Sequence, residues 1–304
     1  MVSFSHNIAR LQPQDTPCQK LREFSIEIKP LPFESNEFLD AYTNVNKHIL
    51  IREPHKELEV IGNSHVEIFP QLIEQNIKHL KQNSTTYTKA LERLASFHVD
   101  DVAAKEFLYE SELISKASAE IKSYVLDSFQ PERDLYEAAE EFMGRIFHDF
   151  DFVSGFSDIT TPIEEIFKAK KGVCQDFAQF AIAALRSIGL PAKYMSGYIE
   201  TLPPEGEEKL FGVDASHALF ALYIPGAGWA EFDPTNNMVP LDQHIRLGSG
   251  RDYYDVSPLK GVVVSSGSSQ LSVMVDVRRQ EESKTFSIQK QQQDSNSQQQ
   301  QNQF

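Results

Sequence analysis

The side chains able to do covalent chemistry fall in three separated stretches, GVCQDFAQFAIAALRSIG, SHALFALYI and WAEFDPTNN. In the first, Cys174 opens a run in which Phe177, Ala181, Ala184 and Ile188 share one helical face before Gly189 and Pro191 stop it. A cysteine in the first turn of a helix meets the positive end of the backbone dipole and unpaired amide donors, which favour the thiolate. Cys174 is therefore a candidate nucleophile, although a lone cysteine is more often a small buried hydrophobe. A thiolate also needs a partner that takes up its proton and returns it to the leaving group, a task suited to imidazole. His217, at the start of an apolar strand-like run, is the candidate. His6, His48, His55, His65, His79, His98, His148 and His244 lack that combination of strand start and neighbouring hairpin.

The base in turn needs an acceptor that fixes its tautomer and stabilises the imidazolium. HALFALYI and WAEFDP read as strands joined by a turn at Pro225-Gly226-Ala227-Gly228. If Tyr223 pairs with Trp229, Leu219 opposes Asp233, and His217 and Asp233 become diagonal neighbours on one face, roughly 7–8 Å apart at the backbone. A slip of one residue would put them on opposite faces. Asp214 is the alternative acid, at a position that also reads as a turn or cap.

The elements that must position these residues are legible in outline. LREFSIEIKP and HVEIFP alternate apolar and polar residues between turn signals, so residues 1–75 read as a β-rich domain. Tyr87, Leu91 and Leu94 lie at helical intervals, and residues 104–149 repeat an acidic and apolar helical spacing. Thr161-Pro162-Ile163-Glu164 reads as a capping box with Thr161 at the N-cap, and LSVMVDV as a last strand. From Gln280 the composition turns to Gln, Ser and Asn, which cannot bury enough apolar surface to order the chain. The division expected is a β-rich domain at 1–75, a helical connection at 76–130, a catalytic domain at 131–279 and a disordered Gln-rich tail at 280–304.

Bulk composition narrows the partners. A formal charge of −15 over 304 residues repels nucleic acid and anionic membrane. Neither a signal peptide nor a transmembrane run is visible, and two cysteines, Cys18 and Cys174, are too few for a disulfide framework, so a reducing cytoplasmic location is expected. No second thiolate, HxxxH spacing or EF-hand loop suggests a metal, and no cofactor is expected.

Taken in order, GVCQDFAQFAIAALRSIGLPAKYMSGY, DASHALFALYIPGAGWAEFDPTNN and HIRLGSGRDYYDVSPLKGV resemble the bacterial transglutaminase-like (cysteine protease) family from about Ile146 to Val275. NVNKHILIREPHKELEV resembles the β-rich N-terminal domain that accompanies it. The resemblance implies an α+β, papain-like core in which the helix bearing the cysteine lies against an antiparallel sheet, with Cys174 as nucleophile, His217 as base and Asp233 as orienting acid. It implies a protein or peptide substrate and an acyl-enzyme, released by water in a protease or amidase or by an amine acceptor in a transglutaminase. A catalytically silent peptide-binding module is the competing class. Gln175 and Tyr198 would line the cleft, with the Cys174 amide contributing to an oxyanion site. Two positions depart from the family: Gln179 stands where histidine is usual and Leu219 where tryptophan is, the latter on the His217 face and able to reshape the substrate groove. Related proteins also have a strand ahead of a segment like SHNIARLQPQ, whose loss would expose a sheet edge.

Overall fold

The computed structural model describes residues 1–201, 215–267 and 270–280. The Gln-rich tail from residue 281 lies outside them. In chain order the elements are β1 (Val2–Ala9), β2 (Gln19–Lys29), β3 (Glu34–Leu39), β4 (Val45–Ile51), β5 (Glu59–Ile68), α1 (Pro70–Gln82), α2 (Tyr87–Ala95), α3 (Val99–Val102), a 3-10 turn (Ala103–Leu108), α4 (Ala119–Leu126) and α5 (Leu135–Asp149). They continue as β6 (Asp151–Phe152), α6 (Ile163–Ala169), β7 (Lys171–Gly172), α7 (Cys174–Ser187), β8 (Ala192–Ile199), β9 (Ala215–Ile224), β10 (Gly228–Phe232), β11 (His244–Gly250), α8 (Tyr253–Val256) and β12 (Leu259–Ser265). No helix is long and apolar enough to cross a membrane among the described residues.

The α+β expectation holds. α7 is buried without interruption from Asp176 to Arg186, as expected of a helix with apolar residues on nearly every side. It packs on β8 and β9, within an antiparallel sheet of order β10-β9-β8-β11. On its other side Phe180 stacks on Phe167 at 5.5 Å and meets Phe150 at 4.8 Å. Each fully buried ring of this kind contributes about 1.5–3 kcal/mol. Lys170, in the left-handed region at φ 53°, caps α6 and lays its ammonium 3.9 Å from the centre of the Phe167 ring, so a cation–π contact ties the segment ahead of α7 to the aromatic core.

A second sheet, β12-β1-β4-β3, and the β2-β5 pair form the N-terminal region. β12 belongs to this sheet although it lies near the far end of the chain, a placement that a linear division into segments does not anticipate. Among the described residues it is also the last strand, in place of LSVMVDV: across 271–277, Leu271, Val273 and Met274 are exposed, and the buried Val275 makes only a single β-bridge. Alternation alone misled there, because the pairing stops at a single bridge instead of running on as a ladder. β1 sits between β12 and β4, so both its sides are paired and no edge is exposed at that point.

β11 is the edge of the α7 sheet, and the N-terminal region covers it with two buried side-chain amides. Gln19 Nε2 donates to the Arg246 carbonyl and Gln19 Oε1 accepts from the Arg246 N–H, both at 2.8 Å. Asn44 does the same to Ser249, both bonds being 2.9 Å. The two amides thus stand in for a neighbouring strand. Gly197 lets β11 approach β8: a Cβ there would lie 2.3 Å from the Ile245 carbonyl oxygen.

The helical connection reaches this sheet as well. Asp101, fully buried, pairs with Arg93 at 2.7 Å, accepts from the Tyr223 hydroxyl at 2.8 Å and takes the Gly226 N–H at 3.2 Å. It therefore pins the turn between β9 and β10. The capping box expected at Thr161 does not form. α6 opens one residue later on Pro162, Thr161 Oγ1 accepts from the Asp158 N–H at 2.9 Å, and Glu164 reaches across to the Ser118 N–H at 2.8 Å. Tertiary partners outcompete the local ones.

Replacing Gly197 by alanine is expected to destabilise the protein by about 1–3 kcal/mol through overpacking against backbone that cannot move aside. Gly267→Ala, where nothing lies within 4 Å of the added methyl, should leave the melting temperature unchanged in the same thermal-unfolding series.

Candidate active site

Cys174 is the first residue of α7 and is half-buried. Its position is set by Asp176, whose Oδ2 turns back to accept the Val173 N–H at 2.8 Å and the Ser157 hydroxyl. Gly172 is needed for this return, since a Cβ there would lie 2.8 Å from that of Asp176. The first-turn amides of α7 have no carbonyl partners within the helix. Cys174 Sγ is 4.0 Å from the carbonyl oxygen of Ser216, the residue before His217 on β9.

The hairpin closes in the register read from its turn: Tyr223 faces Trp229 and Phe220 faces Phe232. One step further, Asp233 leaves the strand in a tight loop, bridged to Met238 by backbone bonds of 2.9 and 3.2 Å. His217 Nε2 donates to Asp233 Oδ2 at 2.7 Å, which leaves Nδ1 for the sulfur. Asp233 is wholly buried and collects five donors. Its Oδ1 accepts the Thr235 and Asn236 N–H groups at 3.0 and 3.1 Å, the pattern by which an Asp-Pro-Thr-Asn run turns on itself. Its Oδ2 accepts from His217, from Asn236 Nδ2 at 2.8 Å and from His244 Nε2 at 3.1 Å.

Burial works against a charged Asp233, but the bonds from His217, His244 and Asn236 more than offset it and hold the carboxyl far below the usual range. For His217, burial pulls the ring down, yet its bond to Asp233 and the attraction of Asp233 and Cys174 win and take it up to about 9. The ring is therefore imidazolium at neutral pH, able to give a proton to a departing amine.

His244 was passed over in the sequence because no hairpin adjoins it, and the fold alone brings it to Asp233. Asn236 was likewise unmarked. Both occur in stretches that carried the family resemblance. Asp214 lies outside the described residues. Gln175 is half-buried in the first turn of α7, without a side-chain hydrogen bond among the described residues. Tyr198 faces Ser216 across the β8–β9 ladder and is half-buried, its phenol pushed up to about 12 by burial. Leu219 does share the His217 face, but it is buried against Met195 and Ala221 beside Trp229; packed in this way, it offers no surface to a substrate. Gln179 is buried too, its Oε1 accepting the Tyr253 N–H at 3.4 Å.

Ligand atoms of His217, Asp233 and His244 lie within 4.8 Å of one another, a grouping that could hold a metal ion. Here the two Nε2 atoms and Oδ2 are already spent on each other in N–H···O bonds.

Residues 122–234 match the family model of the Transglutaminase-like superfamily, and residues 1–67 match the Bacterial transglutaminase-like N-terminal region. An uncharacterized Mycobacterium tuberculosis protein, Rv2569c, is 33% identical over 282 residues, covering 91% of this chain and 88% of its own length. A Mycobacterium leprae relative, ML0607, is 28% identical over 275 residues, covering 90% and 92%. Among solved structures, a Cytophaga hutchinsonii protein described as a "putative cysteine protease" superposes with a TM-score of 0.65 at 20% identity, covering 90% of each chain, a likeness of fold.

A raised His217 adds stability that is complete below its ordinary value of 6.5 and is lost as pH climbs towards about 9. Depressed Asp233 acts at the other end: its contribution is full above 3.8 and is lost on acidification. In an NMR titration of the His217 ring, the midpoint should lie near 9 in the native protein and fall in Asp233→Asn. An unchanged midpoint in the variant would remove Asp233 as the cause.

Proposed function

We propose that this chain, which belongs to the transglutaminase-like superfamily, is a thiol-dependent amide or peptide hydrolase working through Cys174, His217 and Asp233. The observation that carries this reading is the buried 2.7 Å bond from His217 Nε2 to Asp233 Oδ2, with Cys174 Sγ 4.0 Å from the carbonyl oxygen of the adjoining Ser216. A small buried hydrophobic cysteine would need neither partner.

In the proposed cycle the Cys174 thiolate attacks the carbonyl carbon, a C–S bond forms and the carbonyl electron pair becomes an oxyanion. The Cys174 N–H, one of the unpaired first-turn amides of α7, supports that charge. As the oxyanion collapses, the C–N bond breaks and the His217 imidazolium gives its proton to the amine. A neutral His217 then takes a proton from water as it attacks the thioester. The acid leaves, and the thiolate–imidazolium pair is restored. Asp233 stays ionised throughout and holds the ring. Protein or peptide amides are the proposed substrates.

An amine could replace water in the second half-reaction, which uses the same residues and would make the protein a transglutaminase. Water is the acceptor always present in excess, and hydrolysis is the reading taken. The test is turnover of a peptide-amide panel, with and without added primary amine, by the native protein and three variants. Cys174→Ala, His217→Ala and Asp233→Asn should each lose at least about 10³-fold in kcat/KM while melting as cooperatively as the parent. Full activity in any folded variant would remove that residue from the mechanism. Amine adducts outnumbering free acid at millimolar amine would move the assignment to acyl transfer.

A further inference from the structure

His244 is a buried imidazole whose role is not explained by packing. It is 2% exposed, its Nε2 donates to Asp233 Oδ2 at 3.1 Å, and its Nδ1 is buried without a hydrogen-bond partner among the described residues. A buried polar atom left unpaired costs about 1–3 kcal/mol, so a leucine of similar volume would suit the core better unless the other nitrogen earns its place. That other nitrogen has a single target, the oxygen that also holds His217. We propose that His244 is a positioning residue for the catalytic pair: it fixes Asp233 Oδ2 and through it the orientation of the His217 ring towards Cys174. This inference rests on the reading of the site given above.

The geometry supports it in three ways. Oδ1 of Asp233 is tied to the Thr235 and Asn236 amides of its own loop, which leaves Oδ2 to the side chains of β9 and β11, the strands on either side of β8. Two imidazoles bracket it there, His217 from β9 and His244 from β11, with ring centres 5.9 Å apart. Without His244, Oδ2 would keep His217 and the Asn236 amide of its own loop, and nothing would tie it to β11.

The strand that carries His244 is itself fixed on both sides. β8 pairs with it through His244 opposite Ile199 and Arg246 opposite Gly197. On the outer side, Gln19 occupies both backbone groups of Arg246, two residues along from His244. The N–H and C=O of an edge residue would otherwise be free to fray. The N-terminal region thus reaches the acid of the pair through β11, which gives that region a part in the chemistry without touching a substrate.

The test is the second-order rate of Cys174 alkylation by iodoacetamide at neutral pH, read by peptide mass spectrometry, because it needs no substrate. Native protein and His217→Ala are compared first, and the rate should fall at least about tenfold on losing the ring. If it does not, the Cys174–His217 reading fails and this proposal with it. Given that fall, His244→Leu should lose about 10- to 100-fold of the native rate, the scale of a small misplacement at a reacting centre. His244→Gln, whose amide can still donate to Oδ2, should return to within about threefold of native, a rescue that a purely space-filling role would not produce. A native rate in folded His244→Leu would overturn the positioning role while leaving the pair intact. Should His244→Leu not fold, His244→Asn is compared with His244→Gln: the shorter amide falls short of Oδ2 and should be the slower by at least about tenfold, and equal rates would overturn the proposal.

Discussion

A carboxylate with no exposure to water governs this structure. Removing an ionised Asp233 from solvent costs several kcal/mol unless its lone pairs are filled, and here five N–H groups fill them. Two come from the backbone of its own loop, one from Asn236 and two from imidazoles on different strands. In the proposed mechanism, the reactivity of the site follows from that satisfaction. A charged Asp233 holds the His217 proton, and the ring can then serve Cys174.

Much of the remaining architecture can be understood as what keeps those donors in place. Asp101 pins the β9–β10 turn and so fixes the register that brings Asp233 level with His217. A slip of one residue would send the acid to the other face. α7 is gripped along its length by aromatic side chains and is opened by the Asp176 return, which puts Cys174 at its first position. β11 is closed by Gln19 and Asn44 from the N-terminal region. Three parts of the chain that are distant in sequence are thus needed to hold one carboxylate.

How much of this the sequence discloses depends on whether the constraint is local. Helical spacing after Cys174, the turn at Pro225 to Gly228 and the alternation on either side of it are local, and they placed the cysteine, the ring and the acid in the geometry observed. His244 could not be found in that way, because its partner is made by the pairing of β11 with β8 and of β8 with β9, which leaves no trace in spacing. Thr161 illustrates the opposite failure, a sound local motif overruled by Ser118 and Asp158. Leu219 shows that sharing a face with His217 does not mean sharing its cleft, since burial along a strand is decided by what the sheet packs against. The strand at Leu259–Ser265 joins the N-terminal sheet through a contact between the two ends of the chain, beyond the reach of any windowed pattern.

The central claim is that this buried carboxylate supports a nucleophile at Cys174, and the most direct measurement is capture of the acyl-enzyme. Native protein mixed with an activated ester or peptide amide and quenched in acid should show, by intact mass and peptide mapping, one acyl group in thioester linkage on Cys174. That adduct should be absent from Cys174→Ser. Acylation of Cys18 instead, or a well-folded protein that binds the same peptides without ever carrying an acyl group, would contradict the account.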